Sequence, residues 1–293
     1  LRKLVIIAGP TASGKTGLSI KLAKKFNGEV VSADSRQVYK GMDIGTGKAT
    51  KKEMQGIPHY LLDVSSPKNR FTVARYKKLA QKAIKDIQKK NKLPMLVGGT
   101  GFYIQAVVDG ITIPQTKPNF KLRKKFEKET AEFLFKKLEK LDPERAKTID
   151  RFNKRRLIRA LEIVLETRSP VPPLKLNPID SEVLFLGIRK SKKELDKLIH
   201  IRLLKRLKRG MIAEVKKLRA SGISWKRLEE FGLEYRYIAL YLQKKLAKEE
   251  MIEKLQKEIE HYAKRQMTWF KKDKRIHWIK NPKTAQSLLK KFL

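Results

Sequence analysis

Short apolar runs alternate with amphipathic stretches through the first part of the chain, which predicts strands each followed by a helix. Leu4-Val5-Ile6-Ile7-Ala8 reads as a buried strand. Gly14 to Phe26 puts Leu18, Leu22, Ala23 and Phe26 on one helical face and stops at Asn27-Gly28. Glu29 to Ala33 is a second strand that delivers Asp34 at its carboxyl end, and Ser35 to Thr50 is loop-like and rich in polar groups. A third strand is expected at His59–Val64, a helix over Thr72–Asn91, a fourth strand at Leu93–Val97, and a helix from Gly101 through Val108. Strand–helix alternation of this kind gives βαβ units and a mostly parallel sheet flanked by helices.

From Pro114 the pattern turns helical and highly charged. Leu122–Leu141 reads as one helix and Asp142-Pro143 as the start of another, so residues 114–150 are expected to form an inserted helical domain. The α/β core is then 1–113 with 151–293. Asn153–Thr167 is a helix, Pro170-Val171-Pro172-Pro173 a rigid loop, and Val183–Ile188 a fifth strand. Helices Lys192–Arg209, Ile212–Ala220, Tyr235–Leu246 and Glu249–Lys271 follow. A strand at Ile276–Ile279 and a short helix close the sequence.

The first strand and helix flank Gly9-Pro10-Thr11-Ala12-Ser13-Gly14-Lys15-Thr16, a Gly-x-x-x-x-Gly-Lys-Thr loop in the context such a motif requires. The two glycines let backbone N–H groups curl toward phosphate oxygens at the positive end of the helix. Lys15 brings a charge to the terminal phosphate, and the Thr16 hydroxyl is a ligand for Mg²⁺. The fold class is therefore α/β, P-loop NTPase-like. Kinases, ATPases, GTPases and group transferases all use this loop, so the ligand stays open at this point.

Asp34 and Asp63 both follow apolar runs, on the sheet edge where ligands bind. Asp34, beside a glycine-rich loop, is read as a general base or metal organiser; Asp63 is read as a cap on the next turn. Gly98-Gly99-Thr100 offers no carboxylate and lets a ligand or another backbone come close.

Composition narrows the partners. In 293 residues, 70 Lys and Arg face 30 Asp and Glu, a formal net charge of +40. Part of that is lysine on exposed helical faces. The remainder calls for a polyanion, nucleic acid first and an anionic membrane surface second. With no cysteine, disulfides, thiolate zinc sites and cysteine nucleophiles are excluded. The four histidines show no metal-ligand spacing. No apolar stretch approaches a membrane span and no signal-peptide pattern opens the chain, so a cytoplasmic, monomeric protein with no membrane partner is expected.

Six blocks, in order, resemble the tRNA dimethylallyltransferase (tRNA isopentenyltransferase) family. They are residues 9–16, Ser-Ala-Asp-Ser-Arg-Gln-Val-Tyr (32–39), Asp-Ile-Gly-Thr-Gly-Lys (43–48), Gly-Gly-Thr-Gly-Phe-Tyr (98–103), Arg-Arg-Leu-Ile-Arg-Ala-Leu-Glu (155–162) and Tyr-Ala-Lys-Arg-Gln-Met-Thr-Trp-Phe (262–270). The resemblance implies transfer of a dimethylallyl group from dimethylallyl diphosphate to N6 of the adenine just 3′ of the anticodon (position 37). It implies Asp34 as general base, Thr11 and Arg202 at the reacting diphosphate, and Mg²⁺ with the phosphate loop. For tRNA it implies Asp34, Ser35, Arg36, Gln37, Thr100, the segment Arg155-Arg156-Leu157-Ile158-Arg159, Arg236, Lys264 and Arg265. Gln37 suits an adenine edge, and Arg155 and Arg159 share a helical face suited to phosphates. Trp269 and Phe270 are read as core anchors in preference to base-stacking residues.

The sequence departs from many relatives at Ile259-Glu260, where Thr-Arg is usual. It stops soon after Phe292 without a zinc-finger extension, which implies the bacterial type, and it begins at Leu1, so a few preceding residues are expected. An adenylate isopentenyltransferase acting on free AMP, ADP or ATP, and a P-loop nucleotide kinase, remain the alternatives. The helical insertion, the arginines and the charge favour a macromolecular acceptor.

Overall fold

The computed structural model describes residues 2–114 and 116–293. Leu1, in the expected core segment 1–113, and Gln115, in the expected insertion 114–150, lie outside the described residues. The chain opens with β1 (Lys3–Ala8), α1 (Lys15–Lys25), β2 (Gly28–Ala33), α2 (Lys51–Met54), β3 (His59–Tyr60), α3 (Val73–Lys89), β4 (Leu93–Gly98) and α4 (Gly101–Val108). Next come α5 (Phe120–Phe126), α6 (Ala131–Leu141), α7 (Pro143–Thr148), α8 (Lys154–Thr167) and β5 (Glu182–Ile188). It finishes with α9 (Lys192–Lys208), α10 (Met211–Ala220), α11 (Trp225–Phe231), α12 (Leu233–Leu242), α13 (Lys248–Phe270), β6 (Ile276–Ile279) and α14 (Pro282–Phe292).

The six strands form one sheet in the order β3-β2-β4-β1-β5-β6, every pair parallel. Both faces are covered, which is why β1 is apolar at every inner position. Leu4, Ile6 and Ala8 pack with residues of α3 and α4. Val5 and Ile7 pack with residues of α1 and α14 on the other face. This is the P-loop NTPase-like α/β arrangement that the motif and alternation predict. A third apolar cluster joins α9 to α13 around Leu203, Val215, Tyr235 and Leu255. No helix among the described residues is long and apolar enough to cross a membrane.

Register sets the site. Gly98 of β4 lies level with Ala8 of β1 on one side and Ala33 of β2 on the other. The phosphate loop and Asp34 therefore leave the sheet at one level, two strand spacings or roughly 10 Å apart.

Three elements differ from expectation. The third strand is only His59–Tyr60, because Leu61 (φ +64°) and Asp63 (φ +58°) turn left-handed and bend the chain out of the ladder. The stretch 122–141 is two helices, since Thr130 caps α6 by accepting from the N–H of Phe133. Trp225–Phe231 forms a further helix, absent from the expected helices and capped by Ser224.

The fold divides into two compact units, Leu1–Asp109 with Pro178–Leu293, and Gly110–Asn177. The second is wider than 114–150 because α8 packs with it: Leu157, Leu161 and Val164 share a core with Phe126, Leu134 and Leu138. Its polar centre is Glu162, fully buried. Arg123 donates to it through Nε and Nη2 at 2.7 Å each, Arg159 binds it from the preceding turn, and the Asn119 N–H lies at 2.6 Å. Burial pushes this carboxyl up, but those hydrogen bonds outweigh it and hold the group below its ordinary range.

Candidate active site

The phosphate loop is shaped by residues with unusual backbone angles. Ala12 (φ +60°) and Gly14 (φ +94°) are left-handed, and Gly14 caps α1 without any side-chain hydrogen bond. The first N–H groups of α1 thus have no side-chain cap at the loop. Ser13 is 3% exposed, and its hydroxyl has no hydrogen-bond partner among the described residues. A buried orphan hydroxyl in such a loop is what a phosphate oxygen would satisfy. Lys15 folds back and donates to the carbonyls of Gly9 (2.9 Å) and Pro10 (2.6 Å).

Desolvation pulls the Lys15 ammonium down to about 7; Arg202 adds to the fall and Asp34 opposes it. A bound diphosphate raises that value, so binding takes up a proton. Calorimetry at mildly alkaline pH, in buffers of different ionisation enthalpy, is expected to record proton uptake on diphosphate binding. Affinity falls as pH rises above about 7; a flat profile without uptake would contradict this. In the unfolded chain the lysine keeps its ordinary value of 10.5, so from 7 to 10.5 the unfolded state holds more protons. The unliganded site therefore makes the fold more stable as pH rises through that window.

Opposite the loop, Asp34 Oδ1 accepts from the N–H groups of Arg36 (2.8 Å) and Gln37 (3.2 Å). Its Oδ2 has no partner among the described residues, so one carboxylate oxygen is fixed and the other is available. Gln37 accepts from Ser32 Oγ (3.3 Å) and donates to the Thr46 carbonyl (3.4 Å). Thr100 Oγ1 accepts from the Ser35 N–H at 3.1 Å. Burial raises the phenol pKa of Tyr76, Tyr103 and Tyr262, and the Asp34 charge adds to each.

Arg202 of α9 donates through Nη2 to the Gly47 carbonyl (3.3 Å) and lies 3.5 Å from Thr11 Oγ1. Burial and then the neighbouring Arg206 draw it down to about 10. The loop presenting Gly47 is pinned from outside. Glu214 accepts the N–H groups of Asp43, Ile44 and Gly45 at 2.9, 2.6 and 3.0 Å and the Tyr235 hydroxyl at 2.8 Å. Arg206, buried, donates to the Gly45 carbonyl (2.5 Å) and Glu234 (2.8 Å). Lys48 is held by Asp43 (2.5 Å) and Asp63 (2.6 Å). Asp63 is thereby an ion-pair partner of a structural lysine, beyond the turn cap read from sequence.

These groups line a cavity of about 320 Å³ containing Thr11, Lys15, Thr16, Asp34, Gln37, Glu53, Arg202, Tyr262 and Gln266. The loop side is cationic and the opposite side offers a carboxylate, with Gly98 and Gly99 at the end of β4 between them. A wider hollow of about 440 Å³ lies under α4 and the end of α13. Its carboxylate, Asp273, is paired with Arg275 at 2.7 Å, so it offers no free base.

The family model described as IPP transferase matches residues 37–273. The chain belongs to the IPP transferase family. A tRNA dimethylallyltransferase of Acetivibrio thermocellus is 40% identical over 284 residues, covering 94% of this chain and 91% of the relative. Among solved structures, the tRNA isopentenylpyrophosphate transferase of Bacillus halodurans superposes with TM-score 0.72 at 38% identity, covering 96% of this chain and 90% of the other. A eukaryotic dimethylallyltransferase acting on tRNA gives TM-score 0.75 at 30% identity, covering 92% and 70%.

Within this IPP transferase fold the expected residues separate into groups. Thr11 to Thr16, Asp34, Gln37 and Arg202 meet at one cavity, with Ser35 and Thr100 beside it, while Gly9 and Pro10 lie outside its lining and hold Lys15 through their carbonyls. Arg36 turns away: its Nε donates to the Phe231 carbonyl at 2.7 Å and the guanidinium stacks 5.9 Å from that ring. It is a strut. On the Gly110–Asn177 unit, Arg155 and Arg156 are exposed, whereas Leu157 and Ile158 are in the core. Their side chains are unavailable to RNA. Arg159 is committed to Glu162 and to the Thr116 (3.0 Å) and Pro114 (3.4 Å) carbonyls. Arg236, Lys264 and Arg265 are exposed outside the cavity; Arg236 donates to the Glu229 carbonyl at 3.1 Å.

Sequence reasoning missed Gln266. Its Oε1 accepts from the Thr11 N–H and its Nε2 donates to the Gly99 carbonyl, both at 2.8 Å, so it ties the phosphate loop to the β4 turn. A Cβ on Gly99 would stand 2.2 Å from that Nε2, and one on Gly101 2.2 Å from the Trp269 ring. Of the close approaches expected at Gly98-Gly99, the one at Gly98 is made by the Ala33 backbone and the one at Gly99 by a side chain of α13 in place of a ligand or backbone. Phe270 is buried as expected, but Trp269 is 39% exposed, against Phe102.

Proposed function

We propose that this chain transfers a dimethylallyl group from dimethylallyl diphosphate to the exocyclic N6 of the adenine 3′-adjacent to the anticodon, position 37, of tRNA. One observation carries the reading: a half-tethered carboxylate faces an anion-binding loop across a glycine-lined gap, within one cavity. The adenine nitrogen attacks the carbon bearing the diphosphate. The carbon–oxygen bond breaks, the diphosphate leaves with the electron pair, and the amine proton passes to Asp34 Oδ2. Lys15, Arg202, the Ser13 hydroxyl and the N–H groups opening α1 receive the developing charge.

Mg²⁺ fits the donor set. Among the described residues no three acidic or histidine side chains cluster as a cage. Thr16 would hold the ion together with substrate phosphate oxygens and water, the arrangement this hard cation favours. When bound it neutralises diphosphate charge.

Gln37 supports recognition of the adenine edge, with Ser35 and Thr100 beside it. Flipping the base out of the anticodon loop delivers it to such an enclosed pocket. Arg155 and Arg156 of the Gly110–Asn177 unit, with Arg236, Lys264 and Arg265, supply phosphate contacts along the stem. A tRNA substrate supports a cytoplasmic site of action.

The test is partition of label. Radiolabelled dimethylallyl diphosphate and Mg²⁺ are offered with an anticodon stem-loop or with AMP. Label in the stem-loop alone is expected. Label in AMP alone would favour the free-nucleotide alternative, and ATP hydrolysis without transfer would favour a kinase-like reading.

A further inference from the structure

Among the described residues Phe152 is the most exposed large apolar side chain, at 78%. One exposed phenylalanine is ordinary by itself; its setting is not. The turn that displays it is fixed: Asp150 Oδ1 accepts from the Phe152 N–H (3.1 Å), and the Phe152 carbonyl accepts from the Lys154 N–H (3.1 Å). Helix α8 starts at once, capped by Asn153. The Arg151 guanidinium sits 5.1 Å from the Phe152 ring centre and 5.8 Å from that of Phe135. Arg155 and Arg156 are exposed and make no ion pair among the described residues. From Arg151 to Arg156 there is no acidic residue. Glu132, near enough to feel Arg151, is itself paired with Lys136 at 3.0 Å.

We propose that Phe152, backed by Arg151, is a stacking platform for an unpaired nucleotide of the RNA substrate, whose flanking phosphates meet Arg155 and Arg156. This rests on the tRNA reading above. The chemistry selects the occupant. An apolar protein face would strip water from three guanidiniums without compensation. A nucleotide offers a flat π-surface to the ring and an anion to the arginines together.

The experiment measures stem-loop affinity across a salt series for the native chain, Phe152→Ala, Phe152→Leu, Phe152→Trp and Arg155→Ala, with label transfer by the native chain alongside. Phe152→Ala and Phe152→Leu are expected to weaken binding about 5- to 100-fold. Phe152→Trp binds as the native chain does. The salt slope of the Phe152 variants is unchanged, while Arg155→Ala lowers it by about one. Melting temperature stays put, because the ring is exposed. Native-like affinity for both Phe152→Ala and Phe152→Leu overturns the proposal. So does Phe152-dependent binding to phosphatidylglycerol vesicles with stem-loop binding unaffected, which would assign the patch to a membrane surface. Native transfer to the stem-loop in the same preparation keeps either failure apart from failure of the tRNA reading.

Discussion

Asp34→Asn is expected to retain tRNA binding and to lose transfer by roughly 10²–10⁴-fold, the usual worth of a positioned general base. The substitution is chosen from the geometry. Asn keeps an Oδ1 that accepts from the Arg36 and Gln37 N–H groups, so the turn after β2 survives. The amide that replaces Oδ2 has no lone pair for the amine proton. Single-turnover transfer and stem-loop affinity, measured together, separate the two effects. Normal turnover would remove Asp34 from the role of base. Equal loss of binding and transfer would make it an anchor for the nucleotide.

The second large effect concerns Arg202. Arg202→Ala is expected to slow transfer by about 10²–10³-fold, as the loss of one well-aimed donor does at a charge-developing centre. Gly47→Ala should reach the same end by another route. A Cβ at Gly47 would lie 2.0 Å from Arg202 Nη2, at a backbone φ of +62° that disfavours any side chain. The guanidinium must leave its place beside Thr11. If that is the route, the double variant is no slower than Arg202→Ala alone, because both remove one interaction. Additive losses would show that Gly47 acts independently of Arg202. Gly47→Ala also costs about 1–2 kcal/mol of stability from left-handed strain, readable as a lower melting temperature.

What the sequence made legible is what local chemistry dictates. The phosphate loop needs glycines at fixed spacing between a strand and a helix, and that order is visible without a structure. Asp34 is visible because an apolar run ends on it at the ligand-binding edge. The parallel sheet follows from alternation alone. What stayed hidden depends on partners far away in the chain. Arg36 and Arg159 look like RNA contacts until Phe231 and Glu162 are found occupying them. Asp63 looks like a helix or turn cap until Lys48 is found on it. Gln266 stood directly after two eye-catching cations, Lys264 and Arg265, and drew no notice, yet a signal existed. Gly98, Gly99 and Gly101 take no left-handed backbone angle, so only close contact explains all three. Ala33, Gln266 and Trp269 supply those contacts.

If the phosphate loop holds a departing diphosphate, transfer breaks a carbon–oxygen bond. A dimethylallyl diphosphate carrying heavy oxygen at the bridging position tests this most directly. After transfer to the anticodon stem-loop, mass analysis of both products is expected to find the heavy oxygen wholly in the released diphosphate, with the prenyl group on adenine N6. Heavy oxygen retained on the organic product would mean phosphorus–oxygen cleavage and would contradict the account.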